Sequence, residues 1–303
     1  MKIVVTHSSP DMDAITSVWL IKKFLAGWEN AVVQFVPAGE RIGNGKWQMA
    51  NGKSPIELIG DNEVIHVDTG MGPLDHHQTA SDEVCGASLT FDFIKQVSAF
   101  AKASADRQNS EKRKDKMEAV SRMVKVVVDI DHFKEVFRKD PLSDYHEFDL
   151  AGILDGLKLE RPNQDDYYVE FISKCLDAVL HEFENRIWAE KEIKENGIKF
   201  ETRFGKGMGF ETINDSVVKL AQKMGYAIVA RKDPRKGYIR IKARPENKID
   251  LTLAYEKLRK MDPDATWYLH ISKKMLLNGS VKNPKMRPTK LKIDEIIKVL
   301  EKI

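Results

Sequence analysis

Short apolar runs alternate along the chain with stretches whose apolar positions recur every three or four residues. Lys2 to Thr6, Ala31 to Val36, Glu63 to Val67 and Lys125 to Ile130 are runs of the first kind and predict strands. Between the first two, Ala14, Ile15, Val18, Trp19 and Ile21 to Leu25 line one face of a helix over Asp13 to Leu25. That alternation predicts an α/β fold with a parallel N-terminal sheet. Farther on, Gln164 to Glu195 has few breakers and repeats apolar residues such as Phe171, Leu176, Val179, Leu180, Phe183 and Ile187. This predicts a long connecting helix bounded by Pro162-Asn163 and Gly197.

The remainder predicts a smaller mixed α/β module. Its strands are expected over Ala227 to Arg231 and Tyr238 to Ala243, a helix over Leu251 to Met261, an extended Trp267 to His270 and a closing helix over Ile293 to Leu300. The division that follows is an N-terminal domain over 1–145, a helical linker over 146–196 and a C-terminal domain over 197–303.

Three segments carry weaker signals. Gly205-Lys-Gly207-Met-Gly209 lacks the lysine-serine or lysine-threonine ending of a phosphate-cradling loop and predicts a mobile loop ahead of a helix near Asp215. Asn278-Gly279 suits a hairpin turn, because both residues tolerate positive φ, and leaves a substrate contact open. Lys102 to Arg122 predicts a solvated helix face or its connection.

The candidate chemistry lies at the predicted strand ends. His7, Asp11 and Asp13 follow the first strand, Asp68 the third, and Asp75-His76-His77 comes seven residues later. In parallel sheets ligands bind beyond the carboxyl ends of the strands, where His7, Asp68 and Asp131 fall. Gathering Asp11, Asp13, Asp68 and Asp75 would cost about 4 kcal/mol per carboxylate pair at ~4 Å and an effective dielectric of ~20. Two divalent cations relieve that repulsion, and neutral His7 and His76 are the usual nitrogen ligands of manganese-, iron- or zinc-like ions, with magnesium the less natural fit. Any one of these aspartates alone would be read as a helix cap; their conjunction points to a metal site. His66 is expected to be a satisfied structural histidine, His132 is balanced between pocket and surface, and His146 and His181 are expected to be structural.

The segment Val5-Thr-His7-Ser-Ser-Pro-Asp11-Met-Asp13-Ala14 resembles the first motif of the DHH phosphoesterase superfamily. Leu74-Asp75-His76-His77, followed by Cys85-Gly-Ala-Ser88, resembles its third motif, Asp68 falls where the second is expected, and Asp131, ahead of Asp129, suits the fourth. Thr266-Trp267-Tyr-Leu-His270 and Met275-Leu-Leu-Asn278-Gly279-Ser280 are similar to the C-terminal signature of the Myg-type branch, whose members are described as exonucleases. Ser9 and Met12 stand where asparagine and glycine are common, and Asn278-Gly279 where many relatives carry a glycine pair before a histidine.

The resemblance implies one ion on His7, Asp11 and Asp68 and a second on Asp13, Asp68, His76 and Asp131, with Asp68 bridging. It also implies that His77 contacts a phosphoryl oxygen and that Asp75 orients a neighbouring imidazole. His270, with Lys273 or Lys274, would reach the same phosphate, and Asn278 and Gly279 belong to the same substrate-side signature. The implied activity is a two-metal phosphoesterase, with Mn²⁺ preferred, acting on short single-stranded nucleic acid or a small nucleotide diester. A pyrophosphatase-like hydrolase and a non-catalytic nucleic-acid-binding protein remain the alternatives.

Charge sharpens the division. Residues 196–303 carry 25 Lys and Arg against 12 Asp and Glu, a balance of +13, which leaves 24 against 34, or −10, before them. An acidic region that concentrates cations and a basic one that holds phosphate suit a phosphodiesterase, with Arg231, Arg240 and Arg244 as backbone-phosphate candidates. No apolar run has membrane-spanning length and no signal peptide is expected ahead of the first strand. Cys85 and Cys175 lie far apart without metal-ligand spacing, so a reduced cytoplasmic compartment and no membrane partner are expected, and a homodimer is left open.

Overall fold

A computed structural model describes residues 1–43, 54–100, 107–280, 283 and 285–303, apart from the side chains of 98–100 and 107–110. The described residues form a mixed α/β protein with eight α-helices and two sheets, in two compact units, Met1–Glu184 and Asn185–Ile303. No helix among them is long and apolar enough to cross a membrane.

In the first unit, β1 (Lys2–His7) runs through the middle of a four-stranded sheet, because Ile3, Val4 and Val5 are buried and tolerate neighbours on both sides. It pairs in parallel with β2 (Val32–Val36) and β4 (Asn62–His66). A further strand, β3 (Ile56–Ile59), adds to β4 antiparallel, giving the order β2-β1-β4-β3. The sheet is therefore mixed, not purely parallel. The reason is local: Gly60, at φ 59°, lets the chain fold straight back from β3 into β4. Helix α1 (Met12–Phe24) leaves β1 and buries every residue from Met12 to Ile21.

The strand expected over Lys125 to Ile130 is absent. Those residues end α3 (Arg107–Asp131), which with α2 (Gly86–Phe100) packs on α1. Its buried residues Ala119, Val120, Met123, Val124, Val127 and Val128 recur in pairs every four positions, a helical period that outweighs the β-preference of three consecutive valines. Of the solvated stretch expected from Lys102 to Arg122, residues 102–106 lie outside the described residues and the rest is α3. Helix α4 (Leu150–Glu160) follows, then α5 (Asp165–Asn196), whose 32 residues span about 48 Å.

The second unit is built on a six-stranded sheet of order β5-β6-β7-β8-β10-β9. Its strands are β5 (Ile198–Thr202), β6 (Gly205–Glu211), β7 (Ile228–Lys232), β8 (Ile239–Ala243), β9 (Trp267–Leu269) and β10 (Met275–Asn278). All neighbours are antiparallel except β6 and β7. One face buries Ile228, Ile241 and Leu276 with Leu258 of α7 (Thr252–Met261) and Ile296 and Leu300 of α8 (Ile293–Leu300). The other buries Met208, Phe210 and Val229 against the end of α5 and α6 (Ser216–Lys223).

The glycine-rich segment expected to be a mobile loop is thus strand β6. A Cβ on Gly207 would run into the Phe200 ring, and one on Gly209 would lie 2.6 Å from Ile297 Cδ1, so these glycines, two apart and on one face of the strand, admit the side chains packed on that face.

Candidate metal centre

Four segments of the first unit supply the site. His7 closes β1, and its Nδ1 lies 2.9 Å from Ser8 O. A carbonyl can only accept, so Nδ1 carries a proton, and in the neutral ring the Nε2 lone pair faces the site. Asp11 caps α1 by accepting the Ala14 amide at 2.9 Å. Asp13, in the first turn, is buried and accepts the amides of Gly86 and Ala87 at 2.6 and 2.7 Å, the N-terminus of α2. A Cβ on Gly86 would lie 2.9 Å from Asp68 Cβ and 3.0 Å from Asp13 Oδ2, so only glycine fits between the two carboxylates.

Asp68 follows β4 in the left-handed region at φ 52°, a conformation that costs a non-glycine residue about 1–2 kcal/mol. It is 2% exposed, and its amide donates to Leu74 O at 3.0 Å. Asp75 is buried: Oδ2 accepts the Met71 amide, while Oδ1 accepts the His77 amide and lies 2.7 Å from His77 Nδ1. That carboxylate therefore fixes the His77 tautomer and leaves its outward Nε2 to solvent. Asp131 is the last residue of α3, where a negative side chain meets the negative end of the helix dipole.

The donors fall into two sets that share Asp68. His7 Nε2 lies 3.3 Å from Asp68 Oδ2 and 3.8 Å from Asp11 Oδ2. His76 Nε2 lies 3.5 Å from Asp68 Oδ1, 3.7 Å from Asp13 Oδ2 and 3.7 Å from Asp131 Oδ2. These separations exceed ordinary hydrogen-bond lengths. Two donors each ~2.1 Å from one ion lie about 3.0 Å apart at a right angle and about 3.6 Å at 120°. The Asp68 Oδ1 and Asp131 Oδ2 atoms are buried without a hydrogen-bond partner, as oxygens reserved for a cation would be. Nitrogen and carboxylate donors in this number fit divalent ions of the manganese, iron or zinc kind.

The electrostatics agree. Burial opposes charge on His7, yet Asp68, Ser8 O and Asp11 raise its pKa to about 9. His76 is raised to about 9, chiefly by Asp68. Burial, then Asp68, holds Asp13 well above the usual carboxylate range, and burial also raises Asp131. Burial pushes Asp68 up too, but His7 and His76 together keep it below its ordinary value. Positive charge between the carboxylates is what the cluster demands, whether from protons or from metal ions.

Eight of the sequence candidates thus come together: His7, Asp11, Asp13, Asp68, Asp75, His76, His77 and Asp131. Asp131 faces His76, whereas Asp129 lines a different surface hollow with Lys125 and Lys134. Two contributions escape sequence reasoning. The Gly86 and Ala87 amides have a signal only in the small residues after Cys85, and His132, whose Nε2 lies 3.0 Å from Val84 O and 3.5 Å from Asp131, has none that separates it from a surface histidine. His66 is buried, with Nε2 accepting the Ile42 amide and Nδ1 facing Glu57, and so is structural.

The other five candidates belong to the second unit. His270 is bonded to Ser272 Oγ, Lys273 to Asp250, and Lys274 to the carbonyls of Ile249 and Asn247. Asn278 is wholly buried; its side-chain nitrogen donates to Thr266 O and Arg287 O and its oxygen accepts from Thr289 N, so it braces the backbone and presents nothing to a substrate. Gly279, at φ 79°, makes the turn after β10, where a Cβ would strike Tyr238.

No protein-family model matches the chain, and no curated protein does. Two solved structures are similar in extent. An uncharacterized protein from Helicobacter pylori G27 is 13% identical, with 100% of this chain and 99% of that one covered and a TM-score of 0.25. The pGpG-specific phosphodiesterase PggH from Vibrio cholerae is 12% identical, with 98% of each covered and a TM-score of 0.26. At such TM-scores neither likeness bears on the chemistry, which rests on the side chains above.

Proposed function

We propose that this chain is a two-metal phosphoesterase of the DHH type that hydrolyses phosphodiester bonds. The observation that carries the reading is Asp68, whose two carboxylate oxygens face two different histidines at 3.3 and 3.5 Å. His7, Asp11 and Asp68 would hold one ion, and Asp13, Asp68, His76 and Asp131 the other, with Mn²⁺ the preferred metal. Such a pair lowers the pKa of a shared water and neutralises charge on the phosphoryl oxygens. Asp13 is fixed by two backbone amides and Asp68 by its strained backbone, so both acids are oriented before substrate arrives. His77, held by Asp75, offers its exposed Nε2 to a phosphoryl oxygen.

The substrate class follows from charge. The +13 balance of residues 196–303 favours a polyanion, and we assign short single-stranded nucleic acid, degraded from an end, or a small nucleotide diester. Arg231 is buried on Asp215 and Thr212 O and is spent structurally. Arg240 shares Asp215, and Lys242 is pushed below its ordinary value by burial and by Arg240 and Lys219, so these cations favour an incoming phosphate.

Release of mononucleotides from labelled RNA and DNA, and of phosphate from pyrophosphate, tests the reading when measured with Mn²⁺ and after His76→Ala. Nucleotide release abolished by the substitution is expected. Turnover untouched by it refutes the assignment, and phosphate release from pyrophosphate alone transfers the site to small anhydrides.

A further inference from the structure

The stretch that follows the metal centre keeps its largest side chains out of the core. Phe133, Phe137, Leu142, Tyr145, Phe148 and Leu159 are between 72% and 94% exposed. The 3-10 turns Lys134–Phe137 and His146–Phe148 bury no residue at all. Polar groups nevertheless tie the stretch down. Arg138 Nη1 lies 3.1 Å from His146 Nδ1 and 4.0 Å from Asp149, Lys134 reaches Asp82, and Asp149 caps α4 through the Gly152 amide at 3.0 Å. Polar side chains hold the backbone while apolar ones face water.

At about 150–250 Å² per aromatic side chain, the four aromatic residues alone leave roughly 600 Å² of ring surface in solvent. The largest apolar patch of a monomer is about 300–600 Å², and a stable complex covers about 800 Å² on each partner. Leu142 and Leu159 add further exposed apolar surface to the stretch.

Charge selects the occupant. Residues 133–159 hold four Lys and Arg against six Asp and Glu, interspersed. Nucleic acid and anionic lipid both require a cationic excess, which is missing. A two-fold interface sets each residue against the same surface on the partner, so it needs signs that nearly cancel around an apolar centre. We infer that residues 133–159 form the self-complementary interface of a homodimer. Phe133 follows Asp131 and His132 directly, so the second copy would also steady the end of α3.

Sedimentation velocity of the full chain, up to high-micromolar concentration, is expected to give twice the 34.6 kDa chain mass. Phe137→Glu and Phe148→Glu are expected to weaken association at least about a hundredfold without changing the far-UV circular dichroism. Ile271→Glu, on an equally exposed residue of the second unit, is expected to leave it intact. In the unsubstituted chain, amide exchange over 133–159 is expected to quicken on dilution, a readout that survives any misfolded variant. A chain that stays monomeric, or that sediments with neutral phosphatidylcholine vesicles instead, overturns the inference. So does a dimer that survives both phenylalanine substitutions, or exchange that ignores concentration.

Discussion

Metal ions and protons compete for the same nitrogen lone pairs, which makes pH the sharpest probe of the centre. His7 and His76 both titrate at about 9, so at neutral pH each must lose a proton before it can coordinate. Two pH units of unfavourable deprotonation cost about 2.7 kcal/mol per imidazole, or about a hundredfold in affinity for each ion. Apparent Mn²⁺ affinity should therefore rise about tenfold per pH unit per ion through the neutral range and level off above about 9. Calorimetric titration in buffers of different ionisation enthalpy reads the same competition directly, with about one proton released per ion. Affinity that is flat with pH, or release of no protons, would refute the argument that the imidazoles carry the cluster's compensating charge.

Three further outcomes are expected. Without metal, the folded pKa of both histidines lies above the unfolded 6.5, so their stabilisation is complete below pH 6.5 and lost as pH rises through about 9; thermal melting should fall across that window, and less so in the Mn²⁺-loaded protein. Asp68→Asn keeps a residue that tolerates left-handed φ but removes the shared anion, so circular dichroism should persist while bound metal falls and turnover drops at least about a thousandfold. Gly207→Ala should destabilise the second unit by about 1–3 kcal/mol in denaturant, because the added methyl must displace the Phe200 ring; an unchanged midpoint would contradict the packing.

The first segments of the candidate site are legible in the sequence because each couples an apolar run to a polar residue at its end: β1 to His7 and β4 to Asp68. Asp131 is reached by way of a strand that does not exist. A strand end and a helix end both place their last residue at the rim of a core, and Val126-Val127-Val128 reads as β until the four-residue spacing back to Ala119 is counted. Strand β3 is hidden by its edge position, where Leu58 is exposed and half the pattern is lost, and β6 by glycines that normally mark loops. Asn278 shows the limit of single-residue inference: a polar amide suits a ligand or a buried backbone clamp, and only its neighbours distinguish them.

Position 7 is remote in sequence from 68, and 76 from 131, and both cysteines are free thiols. Any ion seated there would act as a detachable staple, closing loops of the length that disulfides close in secreted domains and removing the same chain entropy from the denatured ensemble. A chelator would then play the part that a reductant plays elsewhere, loosening the N-terminal unit while leaving every covalent bond intact.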